Sequence, residues 1–289
     1  MGAVTRVLLT GAGGQLGRDL VAAFAANGGG KAHEVVAADR ARLDVTDRDA
    51  VLQALGSFRP EVVVHAAAWT AVDACEGDPD RAMAVNALGT RHMAEGARLV
   101  GAHLCYLSTD YVFDGRAPRP YTEWDEANPL SVYGRSKLAG EAELDPGHAV
   151  VRTSWVCGRH GTNVVHTVLR LASEGVPLRF VDDQLGCPTF TSDLAQVVRS
   201  LALSRRPGVF HVTNQGPTTW FGFARAIMAA AGFDPDRVEA VTTDALRPPR
   251  PAPRPANSVL DNAALRLSGL PLLPEWQEPL HRLVKELTA

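Results

Sequence analysis

The sequence predicts a doubly wound α/β protein, a parallel sheet with a second, smaller, interleaved α/β lobe. Three observations carry this. Short β-branched runs alternate with longer alanine-rich amphipathic stretches through the first half of the chain, the pattern of parallel strands joined by crossover helices. A glycine-rich turn follows the first of these runs directly. After Arg152 the punctuation changes: GRHGTN, DDQLGCPT, TNQGPTT and the proline-rich RPPRPAPRPAN break the chain into short elements with many turns.

In chain order, strands are expected over Arg6–Thr10, Glu34–Ala38, Val62–Ala66, His103–Ser108 and Ala149–Thr153. Helices fill the gaps, beginning near Gln15, Asp47, Asp78 and Tyr133. Asp47 and Asp78 suit helix starts because a carboxylate accepts the free backbone N–H groups there. Residues 1–152 are thus read as the sheet domain, with some later segments returning to it, and 153–289 as mainly a substrate lobe. Asp193–Leu203 reads as a helix and Val209–Thr213 as a strand, so α/β units continue past the boundary. Arg247–Pro255 is too rich in proline for regular structure and long for a loop, which makes it a linker or a functional loop.

Composition excludes several classes. The chain has 289 residues, 46% of them hydrophobic, enough to fill a core of that size. Its formal net charge is -3 with Lys and Arg scattered, so no electrostatic footprint for nucleic acid is present. Cys75, Cys105, Cys157 and Cys187 stand far apart without a C-x-x-C pair; they read as reduced thiols, not a zinc site or a disulfide framework. The opening MGAVTRVLLTGAGG lacks the regions of a signal peptide, and no apolar run approaches the ~20 residues needed to span a bilayer. A cytoplasmic protein without a membrane partner is expected.

The turn is Gly11-Ala12-Gly13-Gly14-Gln15-Leu16-Gly17. Gly11 permits the tight bend, Gly14 lets the backbone approach a pyrophosphate, and Gly17 permits close helix-on-strand packing, as in the Rossmann dinucleotide site. Alone it is equally a plain strand-to-helix turn. Asp39, ending the second strand, can accept hydrogen bonds from an adenosine ribose, whereas its neighbour Arg40 could hold a 2′-phosphate. The choice between NADH and NADPH therefore stays open. The insert NGGGK is read as an extended helix-to-strand turn that lengthens the spacing to Asp39. Asp44, in LDVTD, is a second candidate for the adenine end or else a helix cap. The small residues of His65-Ala66-Ala67-Ala68-Trp69 would let a flat cofactor lie against the backbone, or are simply core.

The fourth strand runs into Ser108-Thr109-Asp110-Tyr111-Val112-Phe113-Asp114-Gly115, and a loop later comes Tyr133-Gly134-Arg135-Ser136-Lys137. On a helix, positions i and i+4 share a face, so Tyr133 and Lys137 point the same way. An ammonium beside a phenol is expected to lower its pKa from near ~10 and make a proton donor for a carbonyl under reduction. Thr109 can reach the same space. Tyr-x-x-x-Lys alone is common by chance; its order and spacing relative to Thr109, the glycine turn and Asp39 point to a hydride-transferring fold.

With these residues assembled, the chain resembles the extended short-chain dehydrogenase/reductases, and more narrowly the dTDP-4-dehydrorhamnose reductases. The similar segments run nearly end to end: AAAWTAVDACE, STDYVFDG, PLSVYGRSKLAGE, RTSWV, DDQLGCPT, TTW and RPANSVLD. The resemblance implies an NADPH- or NADH-dependent reduction of C4 of a dTDP-4-keto-6-deoxy sugar to dTDP-L-rhamnose. In it Tyr133 protonates the new alkoxide and Lys137 holds the nicotinamide ribose. It further implies that Gly14, Gln15, Leu16, Asp39, Asp44 and Val45 hold the dinucleotide, that Ala67, Ala68 and Trp69 line it, and that Thr109, Asp110 and Trp155 meet the sugar. Trp155 is otherwise a core tryptophan. Arg254 is a separate candidate for the substrate diphosphate, since a guanidinium binds it bidentately, and equally a solvated loop arginine. Some members of the family are metal-bridged dimers using three glutamates; the matching positions here are Asp19, Ser192 and Glu286, and serine cannot supply the carboxylate. A monomer without a required metal is expected. The alternatives are an epimerase or dehydratase of the same fold, or a non-catalytic NADP-binding regulatory subunit.

Overall fold

A computed structural model describes residues 4–26 and 33–289. The NGGGK segment lies outside the described residues. Six parallel strands form the main sheet: β1 (Arg6–Thr10), β2 (Glu34–Ala38), β3 (Val62–His65), β4 (His103–Thr109), β5 (Ala149–Thr153) and, after the short strands β6 (Val156–Cys157), β7 (Leu178–Val181), β8 (Leu185–Gly186) and β9 (Thr189–Phe190), β10 (Gly208–His211). Their spatial order is β10-β5-β4-β3-β1-β2. The chain builds outward from β1 to β2, then reverses past β1 to β3, so the topological switch point lies between β1 and β3, where ligands of open α/β sheets sit.

Both faces are covered, which is why the strands are continuously apolar. Val7 and Leu9 of β1, Val64 of β3 and Leu107 of β4 face one side, against Leu20 and Phe24 of α1 (Gln15–Ala25). Leu8, Val63 and Leu104 face the other, against Val51 and Leu55 of α2 (Arg48–Phe58). Asp47 caps α2 by accepting from Ala50 N–H at 3.0 Å. Asp78 ends α3 (Val72–Gly77) and caps α4 (Pro79–Met83), which runs through one π-helical turn (Ala84–Leu88) into α5 (Gly89–Val100). Then follow α6 (Val132–Glu141) and, beyond β5, α7 (Val164–Ser173), α8 (Thr191–Leu203), α9 (Trp220–Ala230), α10 (Ala263–Leu267) and α11 (Gln277–Thr288).

The second lobe has its own core, in which Val165 and Val168 of α7, Phe223 and Ile227 of α9 and Leu280 and Val284 of α11 are buried together. It is interleaved with the sheet. Leu194, Val198 and Leu201 of α8 return to the core of the first face, and β10 extends the sheet beside β5.

Strand ends differ slightly from the sequence reading. β3 stops at His65, because the Ala67 N–H turns to the Thr10 hydroxyl (3.4 Å). β10 stops at His211, two residues early: Val212 N–H still reaches Arg152, but Thr213 N–H is taken by Asn262 Oδ1 at 2.9 Å. The proline-rich segment is neither strand nor helix but is seated on α3, with Ala252 buried and its N–H held by Asp73 (3.1 Å). No helix among the described residues is long and apolar enough to cross a membrane.

Candidate active site

Two clefts meet along the C-terminal edge of the sheet at the switch point. One, of about 450 Å³, is floored by Gly11, Gly14 and the Ala67–Trp69 backbone and walled by Asp39, Arg40, Asp44 and Val45. The other, of about 440 Å³, shares Gly11, Gly14 and Ala68 with the first, continues along Gln15 and Leu16, and ends at Thr109, Asp110, Tyr133, Lys137 and Trp155.

The first cleft is a backbone surface. Gly11 has φ +69°, and a Cβ there would lie 2.6 Å from Ala67 N. A Cβ on Gly17 would lie 2.0 Å from Gly11 O, so no other residue fits either position without moving the turn. Gly14 is the N-cap of α1 and offers no side-chain acceptor, which leaves the first N–H groups of that helix open to an anion. At the far wall Asp39 Oδ1 accepts the Arg42 N–H at 3.0 Å, and Arg40 Nε lies 3.3 Å from Asp44 Oδ2 on the exposed surface. Asp44 is held below the usual carboxylate range chiefly by the Thr46 N–H. The Asp39–Arg40 pair thus keeps acceptors and a guanidinium side by side. Arg81 lies 4.4 Å from the centre of the Trp69 ring, a neighbour the sequence reading did not name.

In the second cleft the α6 face carries Tyr133 and Lys137. Ser131 starts this helix by accepting the Gly134 N–H (3.1 Å), and a Cβ on Gly134 would sit 2.2 Å from Tyr111 O, so the helix presses onto the turn after β4. Lys137 Nζ rests 4.0 Å from the centre of the Tyr106 ring, and burial pushes its pKa down to about 7. The expectation that Lys137 lowers the Tyr133 phenol is not what the structure shows. Burial raises the phenol above its ordinary range, outweighing the opposing hydrogen bond with Thr109. The phenol therefore keeps its proton at neutral pH, the state in which it can donate one. Thr109 donates to Asp110 Oδ1 (2.9 Å) and accepts from Tyr111 N–H (3.2 Å). The buried Asp110 carboxyl is pushed up to about 6 by desolvation, against the opposing hydrogen bonds of Ser258 and Thr109, and its Oδ2 meets no close hydrogen-bond partner among the described residues.

Trp155 adopts φ +46°, a left-handed conformation that costs a non-glycine residue of order 1 kcal/mol and collects at functional sites. Its ring stacks on Trp220, centroids 3.7 Å apart and planes 10° from parallel, and lies so close to Gly186 that a Cβ there would meet it at 2.4 Å. Trp220 lines the same cleft; the TTW segment was its only trace in the sequence. Asn86 was missed as well. Sitting in the π-helical turn, fully buried, it accepts from Trp69 N–H (2.8 Å) and donates to Trp69 O (3.1 Å) and Ser136 Oγ (2.9 Å), tying the Ala67–Trp69 loop to α6. A lone polar residue in the apolar run AMAVNALG was the available signal.

Arg254 lies one residue back from the second cleft: its guanidinium forms a bidentate pair with Asp73 (2.5 and 2.7 Å) and hydrogen-bonds Tyr111, which lines that cleft. Of the three positions matching a metal cage, Asp19 lies 3.9 Å from His160 Nε2 and Glu286 pairs with Arg159. Among the described residues no group of three His, Cys, Asp or Glu could hold a metal ion.

Residues 5–289 match the family described as RmlD substrate binding domain. The chain is 44% identical to a dTDP-4-dehydrorhamnose reductase of Streptomyces griseus, over 95% of this chain and 91% of that one. It is 40% identical to a dTDP-4-keto-6-deoxy-D-glucose reductase of Streptomyces niveus, over 98% of each. Among solved structures, a dTDP-4-dehydrorhamnose reductase from Bacillus anthracis in complex with NADP superposes with a TM-score of 0.92 at 38% identity, covering 98% of this chain and 100% of that one.

Proposed function

The chain belongs to the RmlD substrate binding domain family, and from that premise we propose that it reduces the C4 keto group of dTDP-4-dehydro-L-rhamnose to dTDP-L-rhamnose with NADPH or NADH. The observation that carries this is the continuity of two clefts: a glycine-floored groove for a dinucleotide opens into a buried end where Thr109, Tyr133 and Lys137 converge. The cradle fits the cofactor on steric grounds, because Gly11 and Gly17 leave the close backbone surface that any Cβ would fill. Gly11, Gly14, Gln15 and Leu16 would hold its pyrophosphate side, Asp39, Arg40, Asp44 and Val45 its adenosine side, and Ala67, Ala68 and Trp69 its length.

When bound, the reduced nicotinamide supplies the hydride for C4. Tyr133 gives its phenolic proton to the C4 oxygen as negative charge develops there. Thr109, anchored as acceptor by the Tyr111 N–H, would turn its one hydroxyl proton from Asp110 to that oxygen and so orient it. Lys137, when protonated, holds the nicotinamide ribose and stabilises the phenolate left behind. Asp110 offers its Oδ2 to a sugar hydroxyl, and Trp155 packs on the ring. The reading places a monomer without bound metal in the cytoplasm; a dimer that EDTA dissociates in sedimentation would contradict it.

The test is oxidation of NADPH and of NADH with dTDP-4-dehydro-L-rhamnose. Because the Streptomyces niveus relative bears the name of a different 4-keto sugar reductase, dTDP-4-keto-6-deoxy-D-glucose is assayed beside it, and faster turnover there would move the substrate assignment. Without oxidation by any keto sugar, a non-reductive epimerase, dehydratase or a regulatory subunit takes over. Tyr133→Phe is expected to lower kcat by on the order of 10²-fold or more while cofactor affinity stays nearly unchanged, since the hydroxyl acts only in the transition state. Retained kcat removes Tyr133 from this role.

A further inference from the structure

Tyr133, Lys137 and Glu141 stand four residues apart on one face of α6, yet only the first two reach the cleft. Glu141 lies deeper, with 8% of its side chain exposed, and forms a bidentate pair with Arg152, itself 7% exposed: Nε reaches Oε1 at 2.9 Å and Nη2 reaches Oε2 at 2.6 Å. Ser108 donates a third hydrogen bond to the carboxylate. The register explains the meeting. Ser108 of β4 is opposite Arg152 of β5, and Tyr106, two residues before Ser108, shares its face of β4 and carries the Lys137 ammonium on its ring. A Cβ on Gly140 would meet Tyr106 Oη and Asn86 O at 2.5 Å, so the helix cannot lift from this surface.

Burying such an ion pair stabilises little by itself, since desolvation offsets most of the attraction, and an apolar pair of similar volume would do as well for the fold. Its position gives it another use. Among the described residues Lys137 is buried with no carboxylate in salt-bridge range; Tyr106 from β4 lies under its ammonium, His65 from β3 stacks on Tyr106, Tyr133 and Glu141 stand one turn to either side on its own helix with Arg152 of β5 beyond Glu141, Asp110 and Tyr111 line the same cleft, and Cys75 and Glu76 of α3 meet Tyr133 and Val132. His65 is neutral, its pKa pushed down to about 3 by burial. Glu141 is the charge that draws the lysine back toward its protonated form against desolvation.

We propose that Glu141, clamped by Arg152 and Ser108, is a positioning residue for the reduction proposed above, holding Lys137 protonated over the Tyr106 ring. This rests on that reading for its link to turnover, but the charge state of Lys137 can be read without any substrate. The chain has three lysines, Lys31, Lys137 and Lys285. Carbon-13 labelling of lysine side chains therefore gives three titration curves by NMR, and Lys137→Arg assigns the one that disappears. In the parent, the Lys137 midpoint is expected well below the ordinary lysine range. In Glu141→Gln its midpoint falls by about one pH unit or more, the size of the effect of removing a nearby opposite charge. The alkaline limb of kcat/KM moves down with it. Because Glu141→Gln leaves the Arg152 charge buried alone and can unfold the chain, the paired variant Glu141→Gln with Arg152→Met removes both charges; it is expected to fold and to lower the midpoint by less than Glu141→Gln does, because the more distant like charge of Arg152 goes as well. A Lys137 midpoint unchanged in a folded variant overturns the proposal, whatever happens to the melting temperature. If NMR shows the shift but no keto sugar is turned over by the parent, the proposal about Lys137 stands and the reductase reading falls.

Discussion

Asn86→Ala removes the clamp between the Trp69 loop and α6, and its cost can be worked from the contacts. Three hydrogen bonds are lost: from Trp69 N–H, to Trp69 O and to Ser136 Oγ. Each is worth a net ~1 kcal/mol, and more where the stranded partner stays dry, which puts the loss at about 3 kcal/mol. Ser136 keeps its bond to Tyr133 O (2.8 Å), and water from the cleft can reach the Trp69 loop, so the sum does not climb further. In a chain of this length roughly 2 °C of melting temperature goes with each kcal/mol, giving a drop of about 6 °C by differential scanning fluorimetry. Because the freed loop borders the first cleft, NADPH affinity is expected to fall about tenfold, corresponding to ~1.4 kcal/mol spent on reordering it. Asn86→Asp is the control. It keeps the acceptor for Trp69 N–H but turns oxygen toward Trp69 O and buries a charge, so it should melt no higher than Asn86→Ala. Melting within about 1 °C of the parent, with unaltered NADPH binding, would refute the assignment of Asn86 as the clamp.

Trp220→Ala removes the ring stacked on Trp155; losing about 1.5 kcal/mol of stacking is expected to raise KM for the keto sugar roughly tenfold with little change in cofactor affinity, and an unchanged KM would show that Trp155 is held without it. Stability should fall in mild acid. Burial pushes His65 and His211 down to about 3 and His103 to about 4, so their folded pKa values lie below the unfolded ~6.5. That stability is complete above pH 6.5 and is lost as pH falls toward the folded values, at roughly 1.4 kcal/mol per pH unit for each histidine. Asp110 and Glu123, whose carboxyls are raised, offset part of it. Calorimetry at pH 7 and pH 5 should therefore show a lower melting temperature at pH 5, and equal values would mean that the histidines are charged in the fold.

The main strands, the helix starts at Asp47 and Asp78, and the pairing of Tyr133 with Lys137 were legible because each rests on local chemistry. Apolar runs buried on both faces, caps that bind the next turn, and the four-residue repeat of a helix need no knowledge of distant residues. The strand ends were less so: β10 stops where Asn262, about fifty residues downstream, takes its next N–H. Arg254 shows the limit from the other side, since its partner Asp73 is 181 residues away and nothing near either residue announces the pair.

The sequence by itself determined the doubly wound fold, the glycine turn, and the types of side chain available for proton transfer, because backbone sterics and periodicity dictate these within one element. Tertiary structure alone decided how those side chains are charged. Packing α6 onto β4 buries the Tyr133 phenol so that it keeps its proton, and leaves the Lys137 ammonium on an aromatic face, one helical turn from a Glu141 carboxylate that Arg152 on the next strand holds. Desolvation depends on what covers a group from every side, and that surface is assembled from β3, β4, β5 and α6 together.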